Sequence, residues 1–564
     1  MSTRLCLASS IAGLLASSCC AHAQPTGKNT LVPALRIAPS ARPVDVAPVA
    51  PLPPALRLPP STQPTAQNTS GATSQPATLQ RTAPPSSIPA PTTAPNREAE
   101  LRRLIAGELA DPVFARTKVS VMLAPIDQAS APIVAIAPDA MRVPASNAKL
   151  LSSVAAAQVL AGRSFSTEVL KRGTRVYLRG RGDPLLSGRD LVALARVAKA
   201  RGVRTVHEVV VDDSYYGRRQ LAPGFESFLA GSPYRPTSGA LNVDGNSIVI
   251  KVTASRGRRR PRVDVYPPSD YVKVRKLVRF SRAKRGKAAR KRKVRVEMRK
   301  SGSILWLTIA GVMGRRAKTW TTRRAVYDPS LNVGWAFRRA LKEQGVKVSG
   351  IARRGRTPKK ARVVARRTRS LAAVLHAVNT RSHNLAAETL IREMGTFKGA
   401  KGKKAAHGSW KVGLSRAQAA LHALGIKDFR LLNGSGLHRA SRVSVRALTQ
   451  LLRKVYADPR LRRVILPTLA VAGRAGTLAR RMRGSEAQGI VLAKTGTLGN
   501  ALALSGFIAP EGKPSHVFSI LVNGTGRRRV RERMDTLARL MARFAKGLPL
   551  ELPAASQPNI VSRR

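Results

Sequence analysis

The feature that most restricts the fold is a set of apolar runs at opposite ends of the chain that complement one another. Val119 to Ala124 and Pro132 to Ala137 read as two short strands joined by a turn around Asp127 to Ser130, and an alanine-rich helix follows from about Ser146 to Leu160. Far downstream, Gly489 to Thr497, Ala501 to Ile508 and His516 to Val522 are three apolar runs with turn residues between them, the pattern of an antiparallel meander. A last helix carries Val530, Met534, Leu537, Met541 and Phe544 on one stripe, which should pack on a sheet. Together these segments predict an α/β (α+β) chain with one five-stranded antiparallel sheet flanked by helices, everything between being inserted. Between Gly162 and about Arg323 lie β-like segments at Thr174 to Leu178, His207 to Val211, Ser247 to Val252 and Leu305 to Ile309. The expected division is 97–162 with 324–548 as the outer domain, 163–323 as an inserted β-rich domain, and 549–564 as a flexible tail.

What precedes the first strand has another character. Met1 to Arg4 is a short cationic start, Leu5 to Cys20 a small-residue apolar core, and Ala21-His22-Ala23 an A-x-A cleavage site, so residues 1–23 read as an export signal. An alternative is a lipoprotein acylated at Cys19. Residues 24–96 are Pro, Ala, Ser and Thr with few large apolar side chains and cannot bury enough surface to fold. Structure is expected to begin where Asn96 caps a helix with Glu98 and Glu100 in its first turn and Leu101, Leu104, Ile105 and Leu109 on one face. All three cysteines, Cys6, Cys19 and Cys20, fall in the signal. The mature chain then lacks disulfides, thiolate zinc sites and thiol catalysis. Beyond the signal no run reaches the roughly 18 apolar residues of a membrane span. The expected location is the periplasm or cell envelope.

Charge narrows the partners. With 100 Lys and Arg against 29 Asp and Glu, the net charge of +71 favours polyanions. An exported chain meets anionic envelope polymers rather than nucleic acid. Residues 251–300 hold 21 Lys and Arg against Asp264, Asp270 and Glu297. That segment reads equally as a polyanion-binding patch and as a solvated, partly disordered face.

Acyl transfer by a serine requires a group that takes the hydroxyl proton, donors for the developing oxyanion and a clamp on the substrate. Ser146-Asn147-Ala148-Lys149 puts a hydroxyl and an amine three residues apart at a helix start, on one helical face. Ser382-His383-Asn384 falls between helical stretches at Leu371 to Val378 and Leu385 to Met394, where side chains can project into a cleft. Lys494-Thr495-Gly496 lies in a strand, and its glycine leaves room for an extended peptide to add alongside while the lysine and threonine hold its carboxylate. Each triplet alone is unspecific. Ser281-Arg282-Ala283-Lys284 repeats the first spacing and Ser330-Leu331-Asn332 the second.

In their order, and with Pro144-Ala145 before Ser146, Gly182-Asp183-Pro184, Asn433-Gly434-Ser435-Gly436-Leu437, Ala472 to Leu478 and Ala493 to Leu498, these motifs resemble the D-Ala-D-Ala carboxypeptidase/endopeptidase family of class C penicillin-binding proteins, which carries a large inserted region. The resemblance runs from about residue 100 to 548. It implies a transpeptidase fold of the penicillin-binding protein and serine β-lactamase type and a cycle of acylation and hydrolysis without metal or cofactor. Carried over, Ser146 is the nucleophile, Lys149 its proton acceptor and Ser382 a relay to the leaving D-alanine. Asn384 holds the substrate amide, Lys494 and Thr495 the terminal carboxylate, and the N–H groups of Ser146 and Thr497 the oxyanion. Peptidoglycan peptides and β-lactams are the implied partners. The chain departs from the family at His383 and Asn433, where an acid is usual; His383 either titrates beside the cleft or points away from it. A non-catalytic envelope-binding protein and a serine β-lactamase are the competing readings.

Overall fold

The computed structural model describes residues 94–551, apart from 218, 226–231, 256, 258, 284–285, 397–406 and 525–526. The export signal, nearly all of the 24–96 linker and residues 552–564 of the tail lie outside the described residues.

The two ends of the chain meet in a six-stranded sheet with the order Ala470–Val471, Val491–Leu498, Ala501–Ile508, His516–Gly524, Thr117–Pro125, Val134–Ile136. Thr117–Pro125 pairs antiparallel with His516–Gly524 along its whole length, from Thr117 opposite Gly524 to Pro125 opposite His516. All five expected runs are present. The sixth strand, Ala470–Val471, pairs only with Ala493 and Leu492, too short a pairing to leave a pattern in the sequence.

Alternation along the strands builds a core on each face. Ala503, Phe507, Val517 and Leu521 point toward the helix Ala148–Val159 and its neighbours. Leu502, Leu504, Ile508, Phe518 and Ile520 meet Val530, Met534, Leu537 and Met541 of the last helix, Arg527–Ala545, together with Leu101 and Ile105 of the first. The first helix runs Ala94–Leu109, so Asn96 sits inside its first turn instead of capping it. Pro95 at the second position costs no hydrogen bond there.

The inserted region forms further sheets. One has the order Ala352–Arg354, Glu208–Asp212, Arg175–Arg181, Ser164–Arg172, Arg362–Ser370. Two of these strands come from beyond residue 323, and the helix Pro329–Glu343 contributes Val333, Phe337 and Leu341 to the same core as Val211 and Ile248. The inserted packing therefore continues to Ser370 rather than stopping at 323. Arginine-studded RVVARRTRS gives little strand signal by itself, and its place is fixed by pairing with Ser164–Arg172. Segment 251–300 is largely strand, with Arg262–Tyr266, Val272–Phe280 and Arg292–Ser301 all paired. Among the described residues no helix is long and apolar enough to cross a membrane.

Candidate active site

Ser146 stands on a single 3₁₀ turn, Ala145–Asn147, that leads into the helix Ala148–Val159. Ala145 lies in the left-handed region at φ +46°. Two glycines let this turn sit where it does. A Cβ on Gly436 would lie 2.0 Å from the Ala145 carbonyl oxygen, and one on Gly496 would lie 3.0 Å from the Pro144 carbonyl oxygen and 3.1 Å from the Ser146 nitrogen. Gly496 thus brings its strand directly against the backbone of the serine.

Lys149 is fully buried, and its Nζ donates to Ser146 Oγ at 2.9 Å and to the Ser435 carbonyl at 2.8 Å. Burial lowers its pKa to about 7, with the Glu388 carboxylate pulling the other way. A large share of the amine is therefore unprotonated near neutrality and able to accept the serine proton.

Glu388, buried on the helix Asn384–Met394, accepts from the N–H groups of Gly434 (3.1 Å) and Ser435 (2.9 Å) and from Trp410 Nε1 (3.1 Å). It fixes Ser435 through its N–H, and the carbonyl of that same residue receives Lys149. Burial raises the Glu388 pKa and the Ser435 hydrogen bonds oppose that rise. In Glu388→Gln, the amide NH₂ would face a backbone donor, leaving one group unpaired at a cost of about 1–3 kcal/mol. Lys149 would also lose its anionic neighbour. The expected result is a lower melting temperature and a rate-versus-pH curve for β-lactam acylation displaced to lower pH; an unmoved curve would confine Glu388 to a structural role.

The second lysine, Lys494, is also fully buried and donates to Ser382 Oγ at 3.0 Å and to the Thr495 carbonyl at 2.8 Å. Burial and the nearby Lys149 hold its pKa well below the usual value. Ser382 occupies the left-handed region at φ +57° between the helices Leu371–Thr380 and Asn384–Met394. Thr495 Oγ1 donates to Thr477 Oγ1 at 2.8 Å. Ala470–Val471 pairs with residues 492 and 493 alone, so among the described residues no strand pairs with 494–498 on that edge. Thr497 is exposed there. Asn384 Nδ2 donates to the Tyr234 carbonyl at 2.8 Å, so the amide is tied to a loop of the inserted region.

The two departures from the family pattern have structural explanations. His383 caps the helix that follows, its Nδ1 accepting from the Ala386 N–H at 3.1 Å. Burial, helped by Arg381, Lys149 and Arg323, lowers its pKa to about 4, so the ring stays neutral at physiological pH. Asn433 accepts from the Gly436 N–H at 2.9 Å and donates to the Pro223 carbonyl at 3.0 Å, and an ionised acid lacks that donor.

The structure gathers Ser146, Lys149, Ser382, Lys494 and Gly496 and leaves the duplicate motifs elsewhere. Ser330 lies in the helix Pro329–Glu343 and donates to Asp213 at 2.6 Å. Ser281 belongs to the inserted region, and Lys284 is outside the described residues. A surface recess of about 720 Å³ lined by Arg172, Thr174, Tyr177, His207 and Glu208 contains none of the motif residues. Sequence reasoning missed Glu388, although an acid four residues after Asn384, in the apolar stretch Leu385 to Ile391, is a signal in itself. It also missed Arg392 one turn further on. This buried side chain is stacked 4.4 Å from both Tyr216 and Trp410 and donates to the carbonyls of Gly408, Gly217 and Ser238. It thereby fastens three loops to the helix that carries Asn384 and Glu388.

This geometry has known relatives. The chain is 33% identical over 410 residues to a D-alanyl-D-alanine carboxypeptidase of Actinomadura sp. (strain R39), covering 68% of this chain and 73% of that protein. It is 32% identical over 163 residues to penicillin-sensitive carboxypeptidase A of Dictyostelium discoideum, covering 28% and 30% of the two chains. The crystal structure of penicillin binding protein 4 from Haemophilus influenzae superposes with a TM-score of 0.63 at 20% identity, over 78% of this chain and 98% of that one, so the two share a fold. A profile of the D-Ala-D-Ala carboxypeptidase 3 (S13) family matches residues 101–544, and with the serine, its lysine and the lysine-bearing strand assembled in one place, the chain belongs to that family.

Proposed function

We propose that the protein is a penicillin-sensitive, serine-type D-Ala-D-Ala carboxypeptidase, with endopeptidase action on cross-links as a second use of the same cleft. The observation that carries this reading is the Lys149–Ser146 hydrogen bond, made by a fully buried amine beside a strand edge that is open at Lys494. The peptide end adds to the edge of Val491–Leu498, its carboxylate between Lys494 and Thr495 and its amide on Asn384, which exchanges the Tyr234 carbonyl for substrate. Ser146 Oγ attacks the carbonyl of the penultimate D-alanine while Lys149 takes its proton. The N–H groups of Ser146 and Thr497 hold the tetrahedral oxyanion. As the C–N bond breaks, a proton passes through the Ser382 hydroxyl to the nitrogen of the departing D-alanine. Water then attacks the ester, gives its proton to Lys149 and releases the shortened peptide with Ser146 restored. β-Lactams acylate the same serine, in keeping with the penicillin-sensitive relative. Export behind residues 1–23 to the periplasm or cell envelope fits this substrate.

The test is release of D-alanine from a soluble D-Ala-D-Ala tripeptide, followed against pH. Because only unprotonated Lys149 accepts a proton, and its pKa is about 7, the acylation rate should climb as pH rises through about 7 and level off above it. A rate flat from pH 5 to 9 would remove Lys149 from the role of base.

A further inference from the structure

Strand register sorts the basic segment into an inner and an outer face. In the three-stranded sheet, Ile304–Met313 lies centrally, antiparallel to Arg292–Ser301 and parallel to Val272–Phe280. Leu305, Leu307, Ile309 and Met313 point into the core with Val274, Val278, Val294 and Val296. The opposite parity forms the outer face, whose rows read Arg299–Trp306–Lys273, Glu297–Thr308–Arg275, Arg295–Ala310–Leu277 and Lys293–Val312–Arg279. All six cations on it are exposed, Trp306 is 43% exposed, and Glu297, paired with Arg295 at 3.2 Å, is the one acid in these rows.

The flanking strands thus carry long cationic side chains, while the central strand offers an indole and then smaller residues. Strand spacing puts the two cationic rows about 10 Å apart, and alternate residues along each row about 7 Å apart. This is a shallow trough with positive walls and an indole at one end of its floor. Like charges held this close repel one another and lower the stability of the sheet unless an anion lies between them. Charged side chains on edge strands also deter edge-to-edge pairing, but a charge of either sign does that and it calls for no exposed tryptophan.

We propose that this outer face binds an acidic sugar polymer, lying along Ile304–Met313 with a sugar ring on Trp306 and carboxylates between the cationic rows, and that in the cell the polymer is peptidoglycan, whose stem peptides bear the carboxylates and whose peptide ends enter the cleft. The last clause rests on the function proposed above; the trough itself does not. Charge complementarity selects an anion, and the exposed indole selects a polymer whose rings present an apolar C–H face over a plain chain of charges.

The experiment compares the parent with a variant in which Arg275, Arg279, Arg295 and Arg299 are all changed to Gln and a control in which exposed Arg103, Arg116, Arg463 and Arg529 are all changed to Gln, with Trp306→Ala beside them. Each is sedimented with purified peptidoglycan sacculi over a salt series and assayed separately on a soluble D-Ala-D-Ala tripeptide. The sheet variant should bind sacculi at least about tenfold more weakly at 0.15 M salt and show a shallower salt dependence. The control should bind like the parent, and all four should turn over the tripeptide equally, which also reports folding. Trp306→Ala should weaken sacculus binding with the salt slope unchanged. Polygalacturonate should compete and neutral dextran should not. Equal losses in the sheet variant and the control would overturn the proposal by showing that only total charge matters. Duplex DNA competing better per charge than polygalacturonate would also overturn it, because the face would then read phosphates. Sacculus binding lost in the sheet variant with no tripeptide turnover in any protein would sink the carboxypeptidase reading and leave the trough standing.

Discussion

Ser146→Ala protein incubated with benzylpenicillin should show no mass increase, whereas the parent gains a single penicilloyl group. Among the described residues the hydrogen bond to Ser146 Oγ comes from Lys149 Nζ, and that amine keeps the Ser435 carbonyl when the hydroxyl is removed. The alanine variant therefore loses about 1 kcal/mol of stability and keeps its fold. Turnover of a D-Ala-D-Ala tripeptide should fall on the order of 10⁴- to 10⁶-fold, the usual effect of deleting a serine nucleophile from a site that works as a unit. Intact-mass spectrometry beside a melting curve separates this from unfolding. An adduct surviving in the alanine variant would place the nucleophile elsewhere and remove the basis of the proposed mechanism.

Gly436→Ala should cost nearly as much activity by a different route, because it displaces the turn that presents the serine. At φ +75° the new Cβ would sit 2.0 Å from the Ala145 carbonyl oxygen and 2.7 Å from the Ala148 Cβ. Neither is the far end of a flexible side chain, so the backbone of the 3₁₀ turn must move. Overpacking and left-handed strain together should cost about 2–4 kcal/mol of stability. Displacing Ser146 by even 1 Å should slow acylation about 10²-fold in the protein that remains folded. Gly484→Ala is the control: it has φ +70° but nothing within 4 Å of its Cβ. It should cost about 1–2 kcal/mol and leave acylation untouched. If both variants acylate at the parent rate, the Gly436 contact does not hold the serine in place.

Much of the outer architecture was legible because its signals are local. The near-continuous apolar runs Ala501–Ile508 and His516–Val522, and the stripe from Val530 to Phe544, report their own burial, and the meander needs only short turns. The inserted unit was legible as β-rich but not in extent. Arg362–Ser370 is a strand because Ser164–Arg172 lies beside it, and that pairing spans nearly 200 residues. The small left-handed turn at Ala145 was illegible too, since it depends on Gly436 from another segment; the cap at His383 is local, with Ala386 three residues on, but histidine is not among the favoured capping residues that would signal it.

The active-site motifs divide in the same way. The residue types and their order named Ser146, Lys149, Ser382, Lys494 and Gly496, because acyl transfer requires a hydroxyl, an amine and a carboxylate clamp whatever the fold. The Ser-x-Asn spacing alone could not separate Ser382-x-Asn384 from Ser330-x-Asn332; motif order and resemblance selected the first, and the structure buries Ser330 against Asp213 in the inserted core. Nor did it indicate that Glu388 would hold the Gly434–Ser435 peptide beneath Lys149, or that Lys149 would be buried deeply enough to lose its proton near neutrality. A pKa, a register and a cleft arise from what lies across space, and only the tertiary structure brings residues 146, 382, 435 and 494 within reach of one another.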